Sequence, residues 1–322
     1  MAVLASDPLV CFAHPAYRLG ERARARGLGL RFVEVRDRPA LDAVIGRVEV
    51  LVISGLWRDE LLDRAPMLRF VQSISAGTDQ YDKELLRARG VRLASAAGVN
   101  ANAVAEHAIA LLLALARLLP EAVRNQDRRF WRGMIGEIGR REQELSGKTM
   151  VLVGLGRIGS RIARLARALG MRVLGVRRDP AAGDGGADEV HALSELDRLL
   201  PGAEVLVLAC PLAPETADLL DSRRFDLLPP GALFVNVARG RCVVEEALLA
   251  ALRSGRLAAA AIDVAREEPL PPDSPLWTAP NLLITPHSAG ETRAYEDRVL
   301  DLLVENLARL ARGETALVNE IV

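Results

Sequence analysis

The sequence predicts an α/β protein with two doubly wound parallel sheets, and three observations support this fold class. The chain has 322 residues, enough for two domains of ordinary size. Short apolar, β-branched segments alternate with amphipathic segments, which is typical of parallel strands joined by helices. A long apolar segment at residues 101–119 divides this alternation into two series. Each series is expected to form its own sheet.

The first series contains five predicted strands and four helical segments. The strands are Leu9–Ala13, Leu30–Val35, Val48–Ile53, Arg69–Ile74 and Val91–Ser95. The helical segments lie near Tyr17–Arg26, Leu41–Arg47, Trp57–Ala65 and Lys83–Arg89. A long helix is predicted next, from Ala101 to about Leu119, with Asn100 as its N-cap and its end near Pro120.

The second series contains six predicted strands, and an amphipathic helix closes the chain. The strands are Thr149–Val153, Arg172–Val176, Glu204–Ala209, Ala232–Asn236, Ala259–Val264 and Leu282–Ile284. The closing helix, Glu291–Arg312, is expected to cross back and pack on the first domain. The predicted domains are therefore residues 1–99 with 288–322, and residues 100–287.

Charge and composition argue against several classes of protein. The 42 basic and 42 acidic side chains cancel, so no overall field attracts nucleic acid or an anionic membrane. Cys11, Cys210 and Cys242 have neither disulfide-framework nor metal-ligand spacing. Charged residues interrupt the apolar segment 101–119, and no secretory signal is recognised. We therefore expect a cytoplasmic protein with no metal and no nucleic-acid or membrane partner.

The most informative local pattern is Gly154-Leu-Gly156-Arg-Ile-Gly159, which follows a predicted strand and opens a predicted helix through Leu169. In such a turn the first glycine permits the tight bend and the second lets a pyrophosphate approach the backbone. The third glycine lets helix and strand pack closely, and N–H groups at the helix start hold the phosphates. The pattern predicts dinucleotide binding.

The end of the next predicted strand bears on the choice of cofactor. An acidic residue there would accept hydrogen bonds from the ribose of NAD. This strand ends instead in Arg177-Arg178, with Asp179 two positions beyond the expected place. Because a guanidinium can bind a 2′-phosphate through two hydrogen bonds, NADP(H) is favoured. The alternative is NAD(H), with solvated arginines and Asp179 reaching the ribose.

Four further blocks each follow a predicted strand, so all are expected at the carboxyl edge of the second sheet. They are Cys210-Pro-Leu-Ala-Pro-Glu-Thr216, Asn236-Val-Ala-Arg-Gly240, Asp263-Val-Ala-Arg-Glu-Glu268-Pro-Leu-Pro271 and Thr285-Pro-His287. With these blocks the sequence resembles the D-isomer-specific 2-hydroxyacid dehydrogenases, most closely their NADP-linked glyoxylate and hydroxypyruvate reductase branch. The resemblance covers nearly the whole chain, including Ser75-Ala-Gly-Thr-Asp79 and Gly98-Val-Asn-Ala-Asn-Ala-Val-Ala-Glu106.

The chemistry of three residues agrees with this resemblance. Reduction of a 2-oxoacid needs a cation for the carboxylate and carbonyl, a hydride donor and an acid for the developing alkoxide. Arg239 suits the first task and His287 the last, because an imidazole titrates near neutrality. Glu268, which directly precedes Pro269, would accept the other ring N–H of His287 and fix its tautomer. Arg239, Glu268 and His287 are the predicted catalytic residues.

The resemblance implies a flavodoxin-like substrate domain and a Rossmann-type nucleotide-binding domain. It implies that Asp263 binds the nicotinamide carboxamide and that backbone N–H groups near Ala76 and Gly77 hold the substrate carboxylate. Such a nest of N–H groups is plausible because Gly77 can adopt a positive φ. The residues expected at the cofactor are Gly154, Gly156, Arg157, Ile158, Gly159, Arg177, Arg178, Cys210, Pro211, Thr216, Val237, Ala238 and Asp263. Those expected at the substrate are Ala76, Gly77, Arg239 and His287.

Several other residues have two interpretations or depart from the family pattern. The segment Asn125–Arg132, with Phe130 and Trp131, resembles the family's dimer arm and implies a homodimer; ordinary packing is the alternative. Ala265 stands where the family often has an aromatic residue. Trp57 is either a substrate contact or a packing residue. The other three histidines are interpreted as structural; these are His14, His107 and His191.

The sequence thus predicts a reductase of small 2-oxoacids such as glyoxylate or hydroxypyruvate, forming D-2-hydroxyacids. One alternative is an NAD-linked phosphoglycerate-type dehydrogenase, although no regulatory domain is expected after Val322. A second is a cofactor-gated binding protein, like the transcriptional corepressors that share this fold.

Overall fold

Apolar runs of the sequence form parallel strands in two separate sheets. The computed structural model describes residues 7–322. The chain divides into two compact units, one formed by Met1–Asn100 with Thr292–Val322 and the other by Ala101–Glu291. Each unit contains one sheet, with five strands in the first and seven in the second. The predicted α/β class with two parallel sheets is confirmed.

The first unit holds a five-stranded parallel sheet with the order β2-β1-β3-β4-β5. This order is the flavodoxin-like one. The strands are β1 (Val10–Ala13), β2 (Phe32–Val35), β3 (Val50–Ile53), β4 (Phe70–Ser73) and β5 (Arg92–Ala94). All five lie within the predicted segments and are shorter than predicted at one or both ends.

Three helices follow strands in the first unit: α1 (Leu19–Ala25), α2 (Arg38–Val44) and α3 (Lys83–Ala88). The α2 helix begins earlier than predicted because Asp37 accepts the N–H of Ala40 and Pro39 lies in the first turn. The predicted helix near residues 57–65 is a 3₁₀ segment, Asp59–Arg64.

The C-terminal helix, Tyr295–Ala311, also packs on the first sheet. The hydroxyl of Tyr295 donates to the carbonyl of Ile74, and the Asn306 amide donates to Gln72 at 3.0 Å. Both faces of the sheet are covered, since alternate residues of its fully apolar strands enter two different clusters. Trp57 is 1% exposed within one of them, so this tryptophan is a packing residue.

The second unit holds a seven-stranded parallel sheet with the order β12-β11-β10-β9-β6-β7-β8. Numbered within the sheet this is 3-2-1-4-5-6-7, the Rossmann order with one added strand. The strands are β6 (Thr149–Val153), β7 (Arg172–Arg177), β8 (Glu189–Ala192), β9 (Val205–Leu208), β10 (Ala232–Asn236), β11 (Leu257–Ile262) and β12 (Leu282–Ile284). The edge strand β8 was not predicted, because its sequence Glu-Val-His-Ala lacks an apolar run.

Six helices complete the second unit. They are α4 (Ala101–Ala116), α5 (Leu119–Asp127), α6 (Arg157–Ala168), α7 (Leu196–Leu199), α8 (Ser222–Leu227) and α9 (Glu245–Arg253). The helix predicted from Ala101 to about Leu119 ends at Ala116, and a second helix begins at Leu119. The chain breaks at Leu118, which has a φ of 53°. Pro120 lies in the first turn of α5, where its missing N–H costs nothing.

The side chain of Asn100 does not act as the predicted cap, since its Oδ1 atom has no hydrogen-bond partner. Among residues 7–322, no single helix has the length and apolar character of a membrane span; α4 and α5 reach them only together, across a 68° bend.

Candidate active site

The glycine turn between β6 and α6 has a different neighbourhood at each of its three glycines. Gly154 has a φ of +104°, and a Cβ there would lie 2.6 Å from the backbone of Ala209 and Cys210. A Cβ at Gly159 would lie 1.7 Å from the carbonyl oxygen of Gly154. A Cβ at Gly156 would meet no atom within 4 Å. Gly154 and Gly159 are therefore needed for close packing, and Gly156 leaves open space where a ligand can approach.

A cavity of about 660 Å³ lies beside this turn, at the carboxyl ends of β6, β7 and β9. A volume of this size is typical of small-molecule sites. Seven of the residues predicted at the cofactor line it: Gly154, Gly156, Arg177, Arg178, Cys210, Pro211 and Thr216. Six others are not part of its lining: Arg157, Ile158, Gly159, Val237, Ala238 and Asp263.

The two arginines and the carboxylate that distinguish NADP(H) from NAD(H) lie in the same wall of the cavity. Arg177 donates to the carbonyls of Ala182 and Gly183, at 3.1 and 2.9 Å. Asp179 accepts the N–H of Ala181 at 3.0 Å and caps the short 3₁₀ segment that follows. The wall thus carries both the arginines that would bind the 2′-phosphate of NADP(H) and the carboxylate that would bind the ribose of NAD(H).

A second carboxylate, Glu215, also lines this cavity and pairs with Arg178. The Nε atom of Arg178 lies 3.0 Å from Oε1 of Glu215. A hydrogen bond from its own backbone N–H, and after it the hydrogen bond from Arg178, hold the pKa of Glu215 below its usual range. The pair is largely exposed, so Arg178 can exchange this partner for another anion at low cost.

The loop after β9 is held by Thr216, whose side chain is buried. Its hydroxyl donates to the carbonyl of Pro211 at 2.8 Å and accepts the N–H of Ala213 at 2.8 Å. Cys210 begins this loop, and its contact with Cys242, together with burial, raises the pKa of the Cys210 thiol. The Cys210 side chain therefore contributes a neutral, apolar surface to the cavity.

Arg239 follows β10 in a turn that is held on two sides. The side chain of Asn236, 1% exposed, donates to the carbonyl of Arg239 at 3.2 Å and accepts the N–H of Ala238 at 3.0 Å. A Cβ at Gly240 would lie 1.9 Å from the carbonyl carbon of Ala265, so this turn packs directly against the segment that leads to Glu268. The Arg239 guanidinium donates to the carbonyl of Ala238 at 2.7 Å.

Glu268 and His287 are in direct contact. The Nδ1 atom of His287 lies 2.6 Å from Oε2 of Glu268. The other carboxylate oxygen accepts the N–H of Ala265 at 2.9 Å. The imidazole is 48% exposed, which leaves it accessible to a ligand. Glu268, and not Glu267, is therefore the carboxylate that contacts the histidine.

Asp263 lies at the end of β11, and its side chain is 3% exposed. Its carboxylate accepts hydrogen bonds from the Thr285 hydroxyl and from the N–H groups of Ser288 and Ala289. Since a carboxylate has about four acceptor positions, one remains for a further donor such as an amide. The expected contact with a nicotinamide carboxamide is thus compatible with this environment.

Ala76 and Gly77 belong to the first unit and follow β4. Gly77 is not among the glycines of residues 7–322 that have a positive φ, whereas Gly98 is, with a φ of 95°. Gly77 therefore does not adopt here the positive φ that is open to a glycine.

The sequence alone did not assign a task at the site to four residues that hold its loops: Asn236, Gly240, His107 and Thr285. Asn236 ends an otherwise apolar strand, and a buried polar residue in that place is a recognisable signal. The role of Gly240 depends on a neighbour 25 positions away, and the sequence carries no sign of that approach. The Nε2 atom of His107 lies 3.0 Å from the hydroxyl oxygen of Thr285.

Among the residues that the structure describes, no group of three or more histidine, cysteine, aspartate or glutamate side chains could hold a metal ion. The three cysteines are free and buried.

Comparison with known proteins agrees with this arrangement. A family model described as D-isomer specific 2-hydroxyacid dehydrogenase, NAD binding domain, matches residues 109–289. A glyoxylate reductase of Korarchaeum cryptofilum is 33% identical over 284 residues, 86% of this chain and 84% of the relative. A D-3-phosphoglycerate dehydrogenase of Archaeoglobus fulgidus is 34% identical over 282 residues, 87% of this chain. The chain spans about half the length of that second relative, 51%.

A solved structure is similar along nearly the whole chain. A D-isomer specific 2-hydroxyacid dehydrogenase family protein from Aeromonas salmonicida matches with a TM-score of 0.86 and 33% identity, covering 98% of this chain and 99% of that chain. Sequence, strand order and structural similarity agree, and the chain belongs to the D-isomer-specific 2-hydroxyacid dehydrogenase family.

Proposed function

We propose that this protein reduces small 2-oxoacids, such as glyoxylate and hydroxypyruvate, to D-2-hydroxyacids, with NADPH as its preferred reductant. The observation that carries the proposal is the contact of His287 with Glu268, 2.6 Å long, in the unit whose Rossmann-type sheet also carries Arg239 and the cofactor-sized cavity. A carboxylate-backed imidazole and a guanidinium are the groups that this reduction requires of the protein.

The residues around the glycine turn fit a dinucleotide. Gly156 leaves room for a pyrophosphate, and the first turn of α6 offers backbone N–H groups to it. Arg177 and Arg178 would bind a 2′-phosphate, and Asp263 retains an acceptor position for a carboxamide. Bound NADPH supplies the hydride.

His287 is the proposed proton donor, through Nε2. Because Nδ1 faces the Glu268 carboxylate, Nδ1 carries a hydrogen and donates it to that oxygen. The protonated ring then carries its second hydrogen on Nε2, from which it passes to the oxygen of the reduced carbonyl. Glu268 stabilises the charged ring and keeps its orientation through this transfer.

Arg239 is proposed to bind both the carboxylate and the carbonyl oxygen of the substrate. Its planar guanidinium offers paired donors, which orient the carbonyl and stabilise the charge that develops on its oxygen. The contact with the carbonyl of Ala238 occupies one donor and leaves the others for substrate. By the family resemblance, backbone N–H groups near Ala76 and Gly77 are proposed to bind the carboxylate as well.

The protein is proposed to act as a homodimer. The segment after α5 exposes four large apolar side chains: Phe130, Trp131, Met134 and Ile138. Trp131 is 95% exposed and Met134 97%, and such a cluster is typical of an interaction surface. Two of these residues border a second cavity of about 680 Å³. Light scattering tests the proposal by measuring the molar mass of the wild type and of the double variant Trp131→Asp, Met134→Asp. The wild type should have twice the mass of the double variant.

A substrate panel tests the proposed activity. NADPH oxidation is followed at fixed cofactor with glyoxylate, hydroxypyruvate, pyruvate and phenylpyruvate, and the series is repeated with NADH. The expected result is turnover of glyoxylate and hydroxypyruvate, with a higher kcat/KM for NADPH than for NADH. A clear preference for NADH would overturn the cofactor assignment.

Two other results would favour the alternatives. Oxidation of 3-phosphoglycerate with NAD as the best reaction would favour a phosphoglycerate-type dehydrogenase. Background rates with every oxoacid, together with tight cofactor binding, would favour a cofactor-gated binding protein.

A further inference from the structure

We infer that Asp263, Thr285 and His107 are positioning residues: together they hold the turn Thr285–Ala289 and so place the His287 imidazole. The inference rests on the proposed function, since it concerns the placement of the proposed proton donor. It assigns a task at the site to His107, a residue that the sequence alone indicates only as structural, and a second task to Asp263 besides the proposed contact with the cofactor.

The Asp263 carboxylate binds the chain on both sides of His287. Before the histidine, the Thr285 hydroxyl donates to Oδ1 at 2.6 Å. After it, Ser288 donates its N–H to Oδ1 and Ala289 donates its N–H to Oδ2, both at 3.0 Å. The ends of the turn are therefore tied to one nearly buried group that directly follows β11.

The turn needs such support because of its backbone conformation. His287 has a φ of 53°, in the left-handed region that side chains other than glycine rarely adopt. Its N–H donates to the carbonyl of Thr285 at 3.0 Å, which closes a tight bend. Strained conformations of this kind persist where the surrounding contacts determine them. The contacts here are those of Asp263.

The hydrogen-bond directions assign His107 a fixed tautomer. An ionised carboxylate only accepts, so the Thr285 hydroxyl must use its single hydrogen for Asp263. The Nε2 atom of His107 lies 3.0 Å from the same hydroxyl oxygen, which can then only accept from it. His107 therefore carries a hydrogen on Nε2 and donates it to Thr285. The chain of donors runs from His107 through Thr285 to Asp263.

His107 connects this chain of hydrogen bonds to a rigid element. It projects from α4, eight residues of which are buried in one cluster with the second sheet and α6. Its own side chain is 25% exposed, and its distance to Oδ1 of Asp263 is 3.6 Å, too long for a direct hydrogen bond. Its effect on the turn must therefore pass through the Thr285 hydroxyl.

Two pairs of variants test the inference, each with one member that removes a hydrogen-bonding group and one that keeps it. Thr285→Val removes the hydroxyl at nearly constant shape, and Thr285→Ser retains it. His107→Leu removes the donor, and His107→Gln retains one on a side chain suited to a helix. The first readout is the imidazole ¹⁵N spectrum of the ¹⁵N-histidine-labelled protein without cofactor, in which His287→Ala identifies the His287 signals.

The expected result is that Thr285→Val and His107→Leu shift the His287 signals, while Thr285→Ser and His107→Gln keep them near the wild-type positions. His14→Asn, in the first unit, is the matched control and should leave them unchanged. The second readout is the separate measurement of kcat and KM with glyoxylate. In Thr285→Val and His107→Leu, kcat should fall about tenfold or more while KM stays near the wild-type value, as misplacement of a reacting group predicts.

The outcomes separate this inference from the proposed function. Unchanged His287 signals in both Thr285→Val and His107→Leu would overturn the positioning role, even if the wild type reduces oxoacids. Shifted signals in a protein that turns over no oxoacid would support the positioning role and reject the proposed reaction. If Thr285→Val does not fold, His107→Leu, which changes a partly exposed position, decides alone.

Discussion

The imidazole of His287 lies 2.6 Å from the carboxylate of Glu268, in a contact that joins the turn after β12 to the segment after β11. The second oxygen of that carboxylate accepts the N–H of Ala265. Glu268 is thus anchored to its own segment before it meets the histidine. A carboxylate fixed in this way can orient the ring and stabilise its charged form, which is the arrangement a general acid needs.

Removing the proton donor should lower turnover more than binding. For His287→Ala we expect a fall in kcat of about 10²–10⁴-fold, with a smaller change in KM. Glu268→Gln should also lower kcat, by a smaller factor. Glu267→Gln is the matched control and should leave kcat near the wild-type value. Steady-state rates with glyoxylate measure all three. Near-normal reduction by His287→Ala would disprove the proton-donor role.

Loss of the arginine that is proposed to bind the substrate should affect substrate binding and turnover rate together. Arg239→Ala is expected to lower kcat/KM by about 10²–10³-fold, since a preorganised charge acts on both the bound substrate and the transition state. Arg241→Ala, an exposed arginine two positions away, is the control and should be close to wild type. Equal losses in the two variants would show that the effect is not specific to Arg239.

Mutations in one wall of the cavity should change the cofactor preference. This wall contains Arg177, Arg178, Asp179 and Glu215. Arg178→Ala and Arg177→Asp should weaken the binding of 2′,5′-ADP more than that of 5′-AMP. Glu215→Gln should strengthen the binding of 2′,5′-ADP, because it removes a negative charge that pairs with Arg178. Calorimetric Kd values for the two nucleotides measure this directly. Equal effects on both nucleotides would argue against a 2′-phosphate site here.

The close approach at Gly159 predicts a large effect for a single methyl group. Gly159→Ala places a Cβ 1.7 Å from the Gly154 carbonyl oxygen, so α6 must move away from the turn. We expect a loss of stability of about 1–3 kcal/mol and weaker cofactor binding. Gly202→Ala is the control, since a Cβ there meets no atom within 4 Å. Denaturant unfolding and nucleotide titration of both variants test this.

His14 predicts a pH dependence of stability in the first unit. Its Nδ1 atom accepts the N–H groups of Ala16 and Tyr17, at 3.1 and 2.8 Å. Burial lowers the pKa of His14 below its ordinary 6.5, the charge of Arg36 adds to this effect, and Glu296 opposes it. Protonation therefore favours the unfolded chain. The stability that neutral His14 provides is present above about pH 6.5 and is lost as the pH falls through the folded-state pKa.

The variant His14→Asn tests this assignment, because its side-chain oxygen can accept the same N–H groups without titrating. Between pH 7 and pH 5, the wild-type Tm should fall more steeply than that of the variant. Parallel curves for the two proteins would show that His14 does not contribute to the dependence.

The strands and the glycine turn could be predicted because their signals are local. An apolar run bounded by polar residues indicates a buried parallel strand, and β6, β10 and β12 have the predicted bounds. The break between α4 and α5 could not be predicted in the same way. A proline suits both the end of one helix and the first turn of the next, and only packing selects between them.

By itself, the sequence determined the α/β class with two parallel sheets, the dinucleotide turn and the family, since each depends on residues that are neighbours in the chain. The tertiary structure decided which groups meet. It placed Glu215 beside Arg178, packed Gly240 against Ala265 and connected His107 through Thr285 to Asp263. These contacts join residues on separate strands, helices and loops, and their distances depend on how the second sheet and its helices pack, which no local pattern in the chain encodes.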